Sequence, residues 1–328
     1  MATCPDCLKA STDPRCGFCG AALQAGPFRT LSLLSESPHG RMYVAEDAGG
    51  QKVALKELAF ALVPSAKTLD LFEREAQVLR ALDHPAIPRF VASFSEGTGP
   101  RLRLYLAQEL VEGETLLAKI QRGPLEANEG RTLALEVLQI LDALHRRSPR
   151  LLHRDLKPSN LILRPDGRVA LVDFGAAREL LRDVTHGATF VGTFGYMPFE
   201  QMGGTVDERS DLYALGATLV HALTGVPPAD LFGKSLSEEL TSRAPHLSAS
   251  FRGLLLRLLA PRREDRCRSA AEAIRLLQRS DALARTVVPE FPRIRRPRSW
   301  VGAVPYVGLL VVVAATSLWL VAVALFTR

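Results

Sequence analysis

Apolar and polar positions change their rhythm part-way along the chain. Short β-like runs fall at Arg41–Ala45, Val53–Leu58, Phe90–Ser95 and Leu102–Glu109 and predict strands, with a helix near Leu69–Leu82 between the second and third. From Leu116 onward the spacing is helical, over Arg131–Leu144, Ser210–Leu223, Phe251–Leu259 and Ala270–Gln278. Strands around one helix, followed by a run of helices, predict an α+β protein with two lobes. No repeat of solenoid length interrupts this order.

The pattern ends differently. Val301–Phe326 is a stretch of 26 residues without a charged side chain, and a bilayer core needs about 20 apolar residues in helical form. It predicts a single transmembrane helix, since a buried core helix would be shorter and flanked by more polar chain. Gly302, Pro305 and Gly308 put the start of the regular helix near Tyr306, and Trp300, Tyr306 and Trp319 include candidate interfacial anchors.

Charge sharpens this picture. The formal net charge is +6, and Arg293, Arg295, Arg296 and Arg298 fall within six residues just before the apolar stretch. A nucleic-acid binder would spread its basic residues over a folded face, so no nucleic-acid partner is expected. Basic residues flanking a span favour the cytoplasmic side and sit against anionic head groups; a solvated linker is the plainer alternative. The expectation is a single-pass cell-membrane protein with residues 1–300 in the cytoplasm. The start, MATCPDCLKA, has neither the basic nor the apolar part of a signal peptide.

Four of the five cysteines lie in the first 19 residues, as two CxxC pairs, Cys4–Cys7 and Cys16–Cys19. Two such knuckles offer four sulfurs, which suits tetrahedral Zn²⁺ in a closed, structural site. The segment is too short to bury a core, so metal would supply its folding energy. It resembles the zinc-ribbon knuckle pairs of many bacterial proteins, departing at Leu8, where a Gly often follows the first pair. Disulfide pairing or redox use of the CxxC pairs is the alternative; a reducing compartment and the lack of a thioredoxin-like pattern argue against it. Cys267 is expected to be an ordinary thiol. The predicted organisation is a Cys4 segment at 1–20, a linker at 21–27, a main domain at 28–285, a basic juxtamembrane linker at 286–300 and the span at 301–326.

The main domain carries His153-Arg154-Asp155-Leu156-Lys157-Pro158-Ser159-Asn160, Asp173-Phe174-Gly175, Val53-Ala54-Leu55-Lys56, and Glu75 on the first helix. In that order and spacing they resemble the protein kinase family, most closely the bacterial serine/threonine kinases, over about Phe28–Arg285. The resemblance implies the two-lobed protein kinase fold, ATP and Mg²⁺ as cofactors, and protein substrates with Ser/Thr acceptors. It implies that Asp155 takes the acceptor proton, Lys157 sits at the transferred phosphate, and Asn160 and Asp173 ligate Mg²⁺. Lys56, paired with Glu75, would contact the α- and β-phosphates. Thr193 in GTFGYM suits Ser/Thr acceptors; Glu200, Arg266 and Asp211 match structural braces of the family. Gln108 falls at the gatekeeper place, and Glu109–Val111 would bond adenine through backbone groups.

The glycine-rich loop departs from G-x-G-x-x-G: it reads Ser35-Glu36-Ser37-Pro38-His39-Gly40, with one glycine left. Serine still offers its backbone N–H, so nucleotide handling should weaken without being abolished. An alternative is a membrane-tethered pseudokinase acting as a binding scaffold. Arg154 before the catalytic Asp implies switching by phosphorylation of the following loop, at Thr185 or Thr189, with homodimerisation as a route to autophosphorylation; the alternative is that both threonines are simply loop residues.

Overall fold

A computed structural model describes residues 2–4, 7, 9–11, 13–37, 40–59, 66–179 and 193–286. Thr185, Thr189 and the stretch 301–326 lie outside these residues. Among the described residues no helix is long and apolar enough to cross a membrane.

The first part of the chain builds a sheet. After the small hairpin of β1 (Ala2–Thr3) and β2 (Ala10–Ser11) come β3 (Gln24–Ala25), β4 (Phe28–Ser37), β5 (Gly40–Glu46) and β6 (Lys52–Ala59). Helix α1 (Ala66–Ala81) follows, then β7 (Phe90–Glu96) and β8 (Arg103–Glu109). The sheet is antiparallel, in the order β3-β4-β5-β6-β8-β7. Side chains alternate between its faces with the period of two that a strand imposes. On one face Leu58 and Leu106 pack with Phe72 and Leu79 of α1. On the other, Tyr43, Ala45, Val53, Leu55, Tyr105 and Ala107 form a second cluster with Cys4, Cys16 and Leu23. The cysteine segment is therefore seated on the sheet. Residues 21–27, the expected linker, run under it with Ala21, Ala22 and Ala25 fully buried.

The second part is helical, as the spacing predicts. It comprises β9 (Glu114–Thr115), α2 (Leu116–Arg122), α3 (Ala127–His145), β10 (Leu151–Leu152), β11 (Leu161–Leu163), β12 (Val169–Leu171) and β13 (Arg178–Glu179). Then come α4 (Phe199–Met202), α5 (Glu208–Thr224), α6 (Leu236–Arg243), α7 (Ala249–Leu258) and α8 (Ala270–Thr286). Helix α5 is the hub, with Leu212, Leu215, Leu219 and Leu223 all buried. Asp207 caps its N-terminus by accepting from the Arg209 N–H, and Gly225 ends it in the left-handed region at φ 70°. The antiparallel set β12-β11-β9 is flanked by the loops that hold the HRD residues, before β11, and the DFG residues, after β12, and Asp173 of the second loop meets Lys56 of the sheet.

Candidate active site

Lys56 projects from the α1 face of β6, and α1 supplies its partner. Lys56 Nζ donates to Glu75 Oε2 at 2.7 Å and to Asp173 Oδ1 at 3.1 Å. Burial works against the ammonium, but the two carboxylates outweigh it and raise its pKa. Asp173, beside Lys56, is held down to about 2 despite its own burial. It sits at φ 65°, a sparsely populated conformation for a residue with a Cβ. Phe174 is fully buried and meets the His153 ring edge-on at 4.9 Å. These contacts fix the DFG segment inward.

The opposite wall is the loop between β10 and β11. Thr193 Oγ1 donates to Asp155 Oδ1 at 2.9 Å, while Lys157 Nζ donates to Asp155 Oδ2 at 2.7 Å and to Thr193 Oγ1 at 2.8 Å. Asn160 Nδ2 donates to the Asp155 backbone carbonyl at 2.8 Å, and the Asn160 backbone carbonyl accepts from the Val172 N–H at 3.0 Å. Asn160 is thus tied to the catalytic loop on one side and the DFG strand on the other.

Beneath lies a buried brace. Asp211 accepts from the backbone N–H groups of His153 (3.0 Å) and Arg154 (2.8 Å), and lies 2.9 Å from His145 Nε2. Burial would raise its pKa, but the hydrogen bond and charge of His145, with the Arg154 amide, bring it below the usual range. Arg154 takes φ 69°, and Gln201, itself 1% exposed, donates to its carbonyl at 2.7 Å. Glu200 accepts from Arg266 Nη1 at 2.6 Å and Nη2 at 3.2 Å. The structural roles expected of Asp211, Glu200 and Arg266 match these contacts; Gln201 carries no motif and was not anticipated.

At the hinge, Gln108 is buried on β8, and the Glu109 N–H is spent on the Arg89 carbonyl at 2.8 Å. Val111 lies just past the strand. Its N–H takes no backbone partner among the described residues, so it can serve a base edge. Strand β4 ends and β5 begins in the glycine-rich stretch, with Ser37 paired to Gly40 and Ser35 to Met42. A Cβ at Gly40 would lie 2.0 Å from the Glu57 carbonyl oxygen. This last glycine is required by the close approach of β6.

The donor set fits Mg²⁺. A magnesium site uses one or two protein oxygens and completes itself with phosphate oxygens and water, and Asp173 with the Asn160 side-chain carbonyl supplies that number.

The cysteines form a separate centre. Cys4 Sγ lies 3.5 Å from Cys19 Sγ, and Cys7 Sγ 3.5 Å from Cys16 Sγ. All four sulfurs fall within 4.8 Å of one another. A tetrahedral zinc with sulfurs at about 2.3 Å sets them roughly 3.8 Å apart, so the residues fit this ion. Each knuckle repeats one backbone bond, from Cys4 N–H to the Lys9 carbonyl and from Cys16 N–H to the Ala21 carbonyl, both 2.9 Å. The amides of Cys19 and Phe18 point at the Cys16 sulfur and lower its pKa to about 6. The knuckle is bolted to the sheet by Arg15, which donates at 2.6 Å to both Glu57 Oε1 and the Tyr105 hydroxyl. Arg41, on the strand after the glycine-rich hairpin, reaches the Cys19 carbonyl at 3.3 Å.

Residues 37–276 match the protein kinase domain family. The chain belongs to the protein kinase family. It is similar to serine/threonine-protein kinase PknA of Nostoc sp., at 33% identity over 76% of this chain and 47% of that protein. It is also similar to serine/threonine-protein kinase C of Synechocystis sp., at 33% over 76% and 49%. Serine/threonine-protein kinase PknB of Mycobacterium tuberculosis matches at 32% over 67% and 37%. The chain spans about half the length of the first two. Within the kinase domain, the structure brings together Lys56, Glu75 and Asp173 on one wall of the cleft, and Asp155, Lys157 and Asn160 on the other.

Proposed function

We propose that this chain is a serine/threonine protein kinase that uses ATP and Mg²⁺ to phosphorylate cytoplasmic proteins close to a membrane. The closed triangle of Asp155, Lys157 and Thr193 carries the reading. Asp155 is aimed by the Thr193 hydroxyl and accepts the proton of an incoming hydroxyl. Lys157 stabilises charge on the transferred group, and Lys56, steadied by Glu75, holds the α- and β-phosphates. Mg²⁺, held by Asp173 and Asn160, neutralises phosphate charge when bound. Phosphoryl transfer depends mainly on position and charge, so an intact charge set outweighs the serines of the glycine-rich hairpin. Those serines are what favours the second reading, a scaffold without turnover. The relatives named serine/threonine-protein kinases support the acceptor class.

The Cys4 centre is proposed to hold structural zinc, supported by its four convergent sulfurs. The membrane location rests on the charge-free stretch Val301–Phe326 and the arginines before it. It predicts that the full chain resists alkaline extraction from membranes. Turnover is tested with the full chain in detergent, Mg-ATP and a generic basic protein, next to Asp155→Asn. The variant should lose about 10²–10⁴ in rate, the usual contribution of a positioned base. Equal phosphate incorporation by the two proteins removes the enzyme reading.

A further inference from the structure

Helix α8 and the end of α7 line an open cavity of about 490 Å³ whose lining includes Arg257, Arg268, Arg275 and Arg279, with Glu272 as its one acidic member among the described residues. That carboxylate is already committed. Its Oε1 accepts from Arg257 Nη2 at 2.7 Å, and its Oε2 from the Arg268 backbone N–H at 2.7 Å. Arg268, Arg275 and Arg279 are exposed. Among the described residues no carboxylate lies within ion-pair distance of any of their guanidinium groups. Arg275 and Arg279 also stand four apart on one helix face, where like charges repel. The fold thus maintains an uncompensated positive concavity where paired or neutral side chains would be more stable.

We propose that this cavity binds the phosphate of anionic phospholipid head groups and lays the α7–α8 end of the kinase domain against the membrane. Guanidinium groups suit phosphate oxygens in number and geometry. The choice of a lipid source rests on the membrane reading above and on chain length. Fourteen residues, 287–300, separate α8 from the charge-free stretch, and a fully extended segment of that size reaches at most about 50 Å. The cavity is therefore tethered at high effective concentration near the head groups, so a weak site suffices. Four further arginines within that segment add charge of the same sign.

The test uses the full chain in nanodiscs of phosphatidylcholine alone or mixed with phosphatidylglycerol. Arginine modification by phenylglyoxal is followed residue by residue by mass spectrometry, with Arg29 of the distant sheet as reference. On anionic discs Arg275 and Arg279 should react at least about threefold more slowly, reversibly with salt, while Arg29 does not change. In a kinase carrying Arg275→Glu and Arg279→Glu, the remaining Arg268 should react equally fast on both discs. Equal rates at Arg275 and Arg279 on both discs overturn the proposal and leave the membrane reading standing. Failure to co-elute with either disc removes the membrane reading and this proposal together. Protection on neutral discs by inorganic phosphate or a phosphoserine peptide, without any lipid effect, would assign the cavity to a soluble ligand and overturn the lipid source.

Discussion

The Thr193 hydroxyl and the Asp155 carboxylate meet at 2.9 Å, across 38 residues of chain, with Lys157 bonded to both. The hydroxyl aims the carboxylate and the lysine keeps both in place. Thr193→Val should cost one hydrogen bond to a charged group, lowering kcat by about ten- to a hundredfold with little change in the KM for ATP. Thr193→Ser should restore most of the rate. Steady-state kinetics at saturating acceptor read this directly; an unchanged kcat in the valine variant removes Thr193 from the site.

Glu75 acts through Lys56. Its conversion to Gln removes one of the two carboxylates that hold the ammonium and leaves Asp173, at 3.1 Å, as the charged partner. The KM for ATP should rise by about tenfold, with a smaller fall in kcat. A pure stability defect would instead lower the active fraction and leave KM where it was.

Gly40 and Ser37 belong to one hairpin but answer to different constraints. Gly40→Ala places a Cβ against the Glu57 carbonyl oxygen and should lower stability by about 1–3 kcal/mol. Ser37→Gly should change stability by no more than about 1 kcal/mol and lower the KM for ATP. Thermal unfolding and ATP titration separate the two.

Asp211 gives stability a pH signature. Its folded pKa lies below the ordinary carboxylate value, so its contribution is complete above that value and is lost as pH falls through the folded one. Asp211→Asn should cost about 2–4 kcal/mol near neutrality, because the amides of His153 and Arg154 lose a charged acceptor. The gap between the two proteins should hold down to about pH 5 and narrow below about pH 4. A gap that widens in acid would contradict the assignment.

Glu57, the residue after Lys56, faces the other way and accepts from Arg15 at 2.6 Å and Arg103 at 2.8 Å. Removing metal from the cysteine centre should therefore be felt in the sheet. Chelation should lower the unfolding midpoint by more than about 5 °C and raise the KM for ATP, and Cys16→Ser should do the same without chelator. A kinase indifferent to chelation has no metal holding its knuckle.

The HRD loop was legible because one contiguous run carries Asp155, Lys157 and Asn160. Lys56, Glu75 and Asp173 lie far apart, yet their order along the chain identified them. The strand Phe28–Ser37 was harder to see. Register shifts at Thr30/Ser32 and Leu33/Ser35 break its alternation. The seating of the knuckle was hidden for another reason: Arg15 meets Glu57 and Tyr105 across 42 and 90 residues. The available signal was the carboxylate of Glu57, two residues after Leu55 on the apolar face of β6. Residues 21–27 read as a linker because three alanines and one leucine are too short a pattern to show a buried face.

The packing of Cys4 and Cys16 into the cluster of Tyr43, Val53 and Tyr105 has a cellular consequence when the sulfurs hold zinc. The nucleotide lobe is then finished only after metal arrives. In a zinc-starved cell the polypeptide would still be translated, yet fewer copies would mature, and the signalling capacity of the pool would follow metal supply rather than gene expression.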